Sequence, residues 1–219
     1  MKQDYKITRE KFFDTEERKT LMRVTEANAL LDRKRGLMTW QIRWMLVHLA
    51  MFSGLRVSEI GNLKIGDLHL QKNGSPYIFV RHGKRGKDRD VYIDTELVKH
   101  LREFIQEKKQ LWDHANGEDD YLFTGQGGGG ITNTALTVSF TNAVKAAGLW
   151  KKLPKGSKKR NLSIHSARHT YATFLYARSE RNLKFVQKQL GHSTLNMTSL
   201  YADILPEENS ELANKILDE

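Results

Sequence analysis

The sequence predicts a mainly helical α+β fold with one small three-stranded antiparallel sheet. Apolar residues recur at i, i+3, i+4 spacing through most of the 219 residues, which predicts helices. Glycine, Asn-Gly or proline punctuates the ends of these runs. Between Asp67 and Ile93 alone, the pattern turns to alternation rich in β-branched and aromatic residues, which predicts strands.

Residues 1–13 are polar and basic and read as an N-terminal arm or linker. Asp14 with Glu17 three positions later is a capped helix start. That helix carries Leu21, Val24 and Leu30-Leu31 as its apolar side. Ile42, Met45, Leu46, Leu49 and Phe52 mark a core helix that stops at Ser53-Gly54. Residues 57–63 form a short helix with Arg56 at its start and Glu59 one turn on. The strands are predicted around Leu68 and Leu70, over 77–80 and over 90–93, with Asn73-Gly74 as a turn. Lys84 then lies near a hairpin tip, between Gly83 and Gly86. Leu97, Leu101, Phe104, Ile105 and Leu111 give a further helix. The run GQGGGG over 125–130 lacks the Lys-Ser/Thr of a phosphate loop and reads as a flexible linker. A helix over 132–147 ends at Gly148. The tail, 206–219, opens on Pro206 and has a thin apolar face of Leu212, Ile216 and Leu217.

Charge narrows the function. The chain holds 36 Lys and Arg against 26 Asp and Glu, a formal net charge of +10, which points to a polyanionic partner, nucleic acid first. Lys151, Lys152, Lys155, Lys158, Lys159 and Arg160 come with no acidic residue between them, a pattern suited to a DNA backbone. The absence of cysteine excludes a disulfide scaffold and a cysteine-based zinc site. The N-terminus has no apolar core of a signal peptide, and no run approaches the ~18 apolar residues of a membrane span. These features predict a cytoplasmic protein with no membrane partner.

The chemistry concentrates in residues 165–201. His165 and Arg168 are three apart and share a helix face. Leu183, Val186, Gln187 and Leu190 run at helical spacing into Gly191, a glycine that ends the helix and leaves His192 in a turn. Tyr201 falls on the stripe Met197, Leu200, Tyr201, Ile204, Leu205 of a following helix. A tyrosine hydroxyl can accept a phosphoryl group, and guanidinium and imidazole groups suit a phosphate oxyanion. Taken singly, each has an ordinary reading: core tyrosine, surface pair, helix stop.

In combination, His-Ser-Ala-Arg at 165–168, Leu-Gly-His at 190–192 and Tyr201 resemble the C-terminal signature of the tyrosine recombinases, the phage integrase and Xer-type family. Upstream, Gly54-Leu55-Arg56-Val57-Ser58-Glu59-Ile60 resembles the family's first-arginine motif. Gly83-Lys84-Arg85-Gly86-Lys87-Asp88-Arg89 resembles its β-hairpin lysine motif. The resemblance spans 14–205, the expected catalytic domain. The resemblance implies DNA cleavage and rejoining through a 3′-phosphotyrosine on Tyr201. Arg56, Arg168 and His192 then bind the phosphate, His165 takes the tyrosine proton, Lys84 protonates the leaving oxygen, and Glu59 orients a neighbouring Arg or His. Arg85 and Lys87 join the basic loop as candidate backbone contacts. No role calls for a metal or cofactor. Partners implied are double-stranded DNA, copies of the chain forming a tetramer on DNA from monomers in solution, and accessory DNA-binding proteins. The family's N-terminal core-binding domain is expected to be absent ahead of Asp14, and the tail is expected to dock on a neighbouring copy. A type IB topoisomerase-like enzyme and a non-catalytic DNA-binding relic stand as alternatives.

Overall fold

The computed structural model describes residues 11–71, 74–81, 87–111, 116–125, 128–151 and 161–192. Among these, the chain forms α1 (Thr15–Lys34), α2 (Thr39–Phe52), α3 (Val57–Gly61), β1 (Leu68–His69), β2 (Tyr77–Val80), β3 (Arg89–Tyr92), α4 (Thr95–Leu111), α5 (Asn133–Ala146), α6 (Ile164–Arg178) and α7 (Leu183–Leu190). The predicted class, helices with a three-stranded antiparallel sheet, is the observed one.

The capping box at Asp14 forms as predicted. The Glu17 backbone N–H donates to Asp14 Oδ1 at 2.7 Å, and the Asp14 N–H donates to Glu17 Oε2 at 3.0 Å. The buried face of α1 differs from the prediction. Leu21, Thr25, Ala29 and Asp32 face inward, whereas Leu30 and Leu31 are each 50% exposed. The reason is Asp32, whose carboxylate accepts the Trp40 N–H at 2.7 Å and so satisfies the first turn of α2. Turning Asp32 inward turns Leu30 and Leu31 out.

Helix α2 is the centre of the core. Trp44 through Met51 are all buried, as expected of a helix surrounded by other elements. Its His48 lies against Trp44 and Phe52, with Nδ1 3.0 Å from Nδ1 of His100 on α4. Phe13, expected in the arm, is fully buried. Its N–H donates to Thr170 Oγ1 at 2.8 Å, and its ring meets Phe140 edge-on at 6.2 Å. Burying such a side chain is worth roughly 1.5–3 kcal/mol, enough to draw this residue into the domain.

The sheet has the order β1-β2-β3, with Leu68 opposite Ile78, Ile78 opposite Val91, and Val80 opposite Arg89. Ile78, Val80 and Val91 seat one face on the core. Strand β3 starts at Arg89, one residue before the predicted start, so Arg89 belongs to the sheet.

The glycine run is more than a linker in its described part. Gly125 N–H donates to the Gly129 carbonyl at 2.7 Å, and Thr124 bridges Gly130. A Cβ on Gly130 would lie 2.9 Å from both the Gly61 carbonyl oxygen and the Tyr121 ring. Close backbone approach, rather than flexibility, explains that glycine.

Helices α6 and α7 pack through a second apolar cluster of Ala172, Tyr176, Val186 and Leu190. Their connection places Glu180 and Arg181 at φ 52° and 61°, the left-handed region. That conformation costs an L-residue roughly 1–2 kcal/mol. Glu180→Gly is therefore expected to stabilise the fold by about 1 kcal/mol, part of the relief being offset by glycine's chain entropy. A urea midpoint that stays put or falls would show that no strain resides there.

Candidate active site

The site is built on the way α7 ends. Gly191, at φ 62° and ψ 43°, adopts the left-handed stop that the sequence predicts. Its N–H donates to the Lys188 carbonyl at 3.2 Å and the His192 N–H to the Gln187 carbonyl at 3.1 Å. This pair of bonds is the Schellman motif, and it fixes His192 immediately beyond the helix. The Gln187 side chain adds a bond to the His192 carbonyl at 3.1 Å.

Three guanidinium groups from three elements meet the last carbonyls of α7. Arg168 on α6 is 6% exposed; it donates through Nη2 to the Leu190 carbonyl at 2.7 Å and through Nη1 to the Gly54 carbonyl. Arg56, at the start of α3, donates through Nη2 to the Gly191 carbonyl at 3.3 Å. Arg89 on β3 donates through Nε to the Gln189 carbonyl at 3.2 Å. Carbonyls of a last helical turn lack partners within the helix and sit at the negative end of its dipole, so cations gather there.

Both glycines that frame this contact are held by space as well as dihedral. A Cβ on Gly54, at φ 62°, would lie 2.3 Å from the Tyr171 ring. One on Gly191 would lie 2.9 Å from Arg89 Nε.

Glu59 is the counter-charge. It accepts Arg56 Nη1 at 2.7 Å on Oε1 and takes both ends of Arg89, Nη1 at 2.9 Å and Nη2 at 2.9 Å. Its side chain is only 6% exposed. Burial alone would raise its pKa, but the bonds and charges of Arg89 and Arg56 outweigh this and hold it at about 2. One carboxylate, bonded to two of the three guanidinium groups, leaves the cluster net positive, which suits an anion.

The histidines are kept neutral. Burial, then the charges of Arg168, Arg56, His169 and Arg89, push His192 down to about 3. His165 is exposed in the first turn of α6, one ring edge facing His169 across 6.1 Å between centroids. Partial loss of its water, followed by the charges of Arg168 and Arg56, lowers its pKa. The positive end of the α6 dipole acts in the same direction.

Of the predicted residues, Arg56, Glu59, His165, Arg168 and His192 are thus gathered around α6, α3 and the end of α7. Lys87 is exposed ahead of β3. Lys151 exchanges two hydrogen bonds with Asn161, its N–H to Oδ1 at 2.7 Å and Nδ2 to its carbonyl at 2.9 Å, which ties the two ends of the basic stretch. Lys84, Arg85, Lys152, Lys155, Lys158, Lys159, Arg160, Tyr201 and the tail lie outside the described residues. Arg89 was assigned no role by sequence reasoning. Its only sequence signal is its place at the end of the lysine motif, where a strand was expected to begin one residue later.

Acid stability reports these environments. His48, His169 and His192 have pKa values of about 3, 4 and 3 in the fold, each lowered first by burial, against an ordinary 6.5. Below pH 6.5 the unfolded chain takes up protons that the folded chain refuses, so stability falls as pH falls from 6.5 toward 4. The stabilisation from Glu59 is complete above its ordinary 4.5 and is lost toward 2, the same sign at lower pH. Urea midpoints are expected to drop steadily from pH 6.5 to 4; a flat profile would mean that these imidazoles are not shielded.

The profile of the phage integrase family matches residues 11–208. The tyrosine recombinase of Pseudothermotoga lettingae is 31% identical over 177 residues, covering 80% of this chain and 54% of the relative. A XerA recombinase crystal structure superposes with a TM-score of 0.70 at 23% identity, over 97% of this chain and 66% of that one. The XerH recombinase bound to palindromic difH substrate, in a post-cleavage complex, gives 0.70 at 25% identity over 95% and 53%. The chain spans about half the length of the curated relatives it matches. Among the described residues, no helix is long and apolar enough to cross a membrane. By its profile, its fold and its motifs, the chain belongs to the phage integrase family and carries the tyrosine recombinase catalytic-domain fold.

Proposed function

We propose that this chain is the catalytic part of a site-specific DNA recombinase or integrase that works through a 3′-phosphotyrosine. The observation that carries the reading is the convergence of Arg56, Arg168 and His192 on the end of α7, with His165 one turn from Arg168. A phosphodiester entering this net positive site gains charge on its non-bridging oxygens as the nucleophile approaches. Arginines stay ionised at any working pH and offer paired donors to those oxygens. His192, neutral, supplies a single N–H donor.

In the proposed step, the Tyr201 oxygen attacks phosphorus, a P–O bond to the 5′ oxygen breaks, and the phosphoryl group stays on Tyr201. The phenol proton goes to His165, whose lowered pKa leaves it unprotonated and able to accept. Lys84 delivers a proton to the departing 5′ oxygen. The reverse step, with a 5′-hydroxyl from a partner strand, reseals the DNA. The ester bond is conserved throughout, so no nucleotide cofactor is needed. Double-stranded DNA is the substrate, copies of the chain assemble on it, and the basic stretch 151–160 supplies backbone contacts that weaken with salt. The solved XerH complexes with its difH substrate support DNA as the partner.

The test uses nicked duplexes with a randomised centre, on which release of a short strand traps the covalent protein–DNA adduct. Wild-type chain is expected to form a denaturant-resistant adduct, and sequencing the trapped DNA gives the preferred site. Tyr201→Phe should form none, and Arg56→Ala and Arg168→Ala should each slow the reaction at least about 100-fold, the scale of one lost oxyanion donor. An adduct with Tyr201→Phe would overturn the nucleophile.

Lys84→Ala separates acid catalysis from binding. A 5′-bridging sulfur leaves without protonation, because a thiol is far more acidic than an alcohol. Cleavage by Lys84→Ala is expected to recover on that substrate; an equal defect on oxygen and sulfur would remove Lys84 from the acid role.

A further inference from the structure

Of the three guanidinium groups in the cluster, Arg89 is the one to which the proposed chemistry gives no role. Its side chain is 10% exposed, and it joins three things at once. Its two Nη groups grip both oxygens of Glu59 at 2.9 Å, in the bidentate geometry that fixes a carboxylate plane. Its Nε holds the Gln189 carbonyl at 3.2 Å, one residue before Leu190 and two before Gly191. Its stem packs so closely on Gly191 that no Cβ fits there.

The same seam has a second fastening. The Gln189 side chain is 3% exposed, and its Oε1 accepts the Tyr92 N–H of β3 at 3.1 Å. Strand β3 and the end of α7 are therefore joined both ways, side chain to backbone. Glu59, held by Arg89, in turn holds Arg56 by its Nη1 at 2.7 Å and its backbone N–H at 2.8 Å. Without Arg89, Glu59 would lose its two charge-assisted bonds to the sheet, and Arg56 would keep only the indirect path to β3 through the Gly191 carbonyl and the Gln189 side chain.

We propose that Arg89 is a positioning residue: through Glu59 and the Gln189 carbonyl, it uses the sheet to set Arg56 and the His192 turn in one geometry. Arg89 closes the segment that carries Lys84, five residues earlier in the chain. Strand β3 and the two groups proposed to bind phosphate are thereby linked through one side chain. Lysine cannot substitute, since it keeps the charge but lacks the fork that spans both carboxylate oxygens. This inference rests on the recombinase reading for its kinetic arm only.

Two measurements test it on the full chain. The first is NMR of the Arg56 guanidinium. Clamped by Glu59 and the Gly191 carbonyl, its Nη nitrogens should give separate, slowly exchanging signals in wild type and merge in Arg89→Lys and Arg89→Ala. The second is the adduct rate on the DNA trapped by wild type. The rate at saturating DNA should fall about tenfold in Arg89→Lys and about 100-fold in Arg89→Ala, with half-saturating DNA unchanged. Adding Glu59→Gln to Arg89→Lys should cost little more than the worse single change, because the two act as one unit. Unaltered Arg56 signals, additive effects, or a loss of DNA affinity at constant rate would each overturn the proposal, the last making Arg89 a phosphate contact. Should Arg89→Ala fail to fold, Arg89→Lys decides. Should wild type form no adduct on any duplex, the recombinase reading falls, and the NMR arm alone decides the role of Arg89.

Discussion

The end of helix α7 is the constraint on which the site depends. A short helix stops at Gly191, and its last carbonyls would be orphaned inside the protein. Three arginines from α3, β3 and α6 supply the donors. Each bond joins a charged group to an acceptor at the negative end of a helix dipole, a combination stronger than a neutral hydrogen bond. The contact does two jobs with one geometry. It satisfies the backbone of α7, and it draws together guanidinium groups that would otherwise repel.

That repulsion explains Glu59. Arg56 and Arg89 both lean on the same Oε1, at 2.7 and 2.9 Å. A buried carboxylate is costly unless paired and bonded on both oxygens, and here it is bonded on both. The cost of burying Glu59 and the cost of crowding arginines offset each other. Net positive charge is left, and it adds to burial, the larger cause, in keeping the neighbouring histidines neutral. A neutral imidazole can donate or accept one proton, and the proposed roles of His192 and His165 each need one of these properties.

The dependence runs outward into the fold. Gly54 must be glycine because its carbonyl receives Arg168 while Tyr171 fills the space where a Cβ would stand. Asp32 is buried to finish the first turn of α2, which places the central helix whose end leads into Gly54. Lys108, fully buried, donates to the Tyr121 carbonyl at 2.7 Å and pins the loop that bridges back to Lys64 beside α3. Polar residues at interior positions thus close backbone ends around the site, as buried polar groups must.

Much of this was legible in the sequence because it is local. The box at Asp14, the stop at Gly191, the placing of His165 and Arg168 one turn apart on α6 and the alternation of the strands all rest on relations between residues a few positions apart. Spacing alone therefore sets them, and the family motifs rest on the same short-range pattern. What the tertiary structure decided lies at long separation. The bond from Arg89 to Glu59 spans 30 residues, that from Arg168 to Gly54 spans 114, and that from Arg56 to Gly191 spans 135. The inward turn of Asp32 over Leu30 and Leu31 was settled by a neighbouring helix end, and the glycine at 130 by the backbone of Gly61. The sequence determined the elements and the chemical groups on them. Which groups meet was decided by packing, because a guanidinium chooses its carbonyl only once the helix that bears the carbonyl has been set against the sheet.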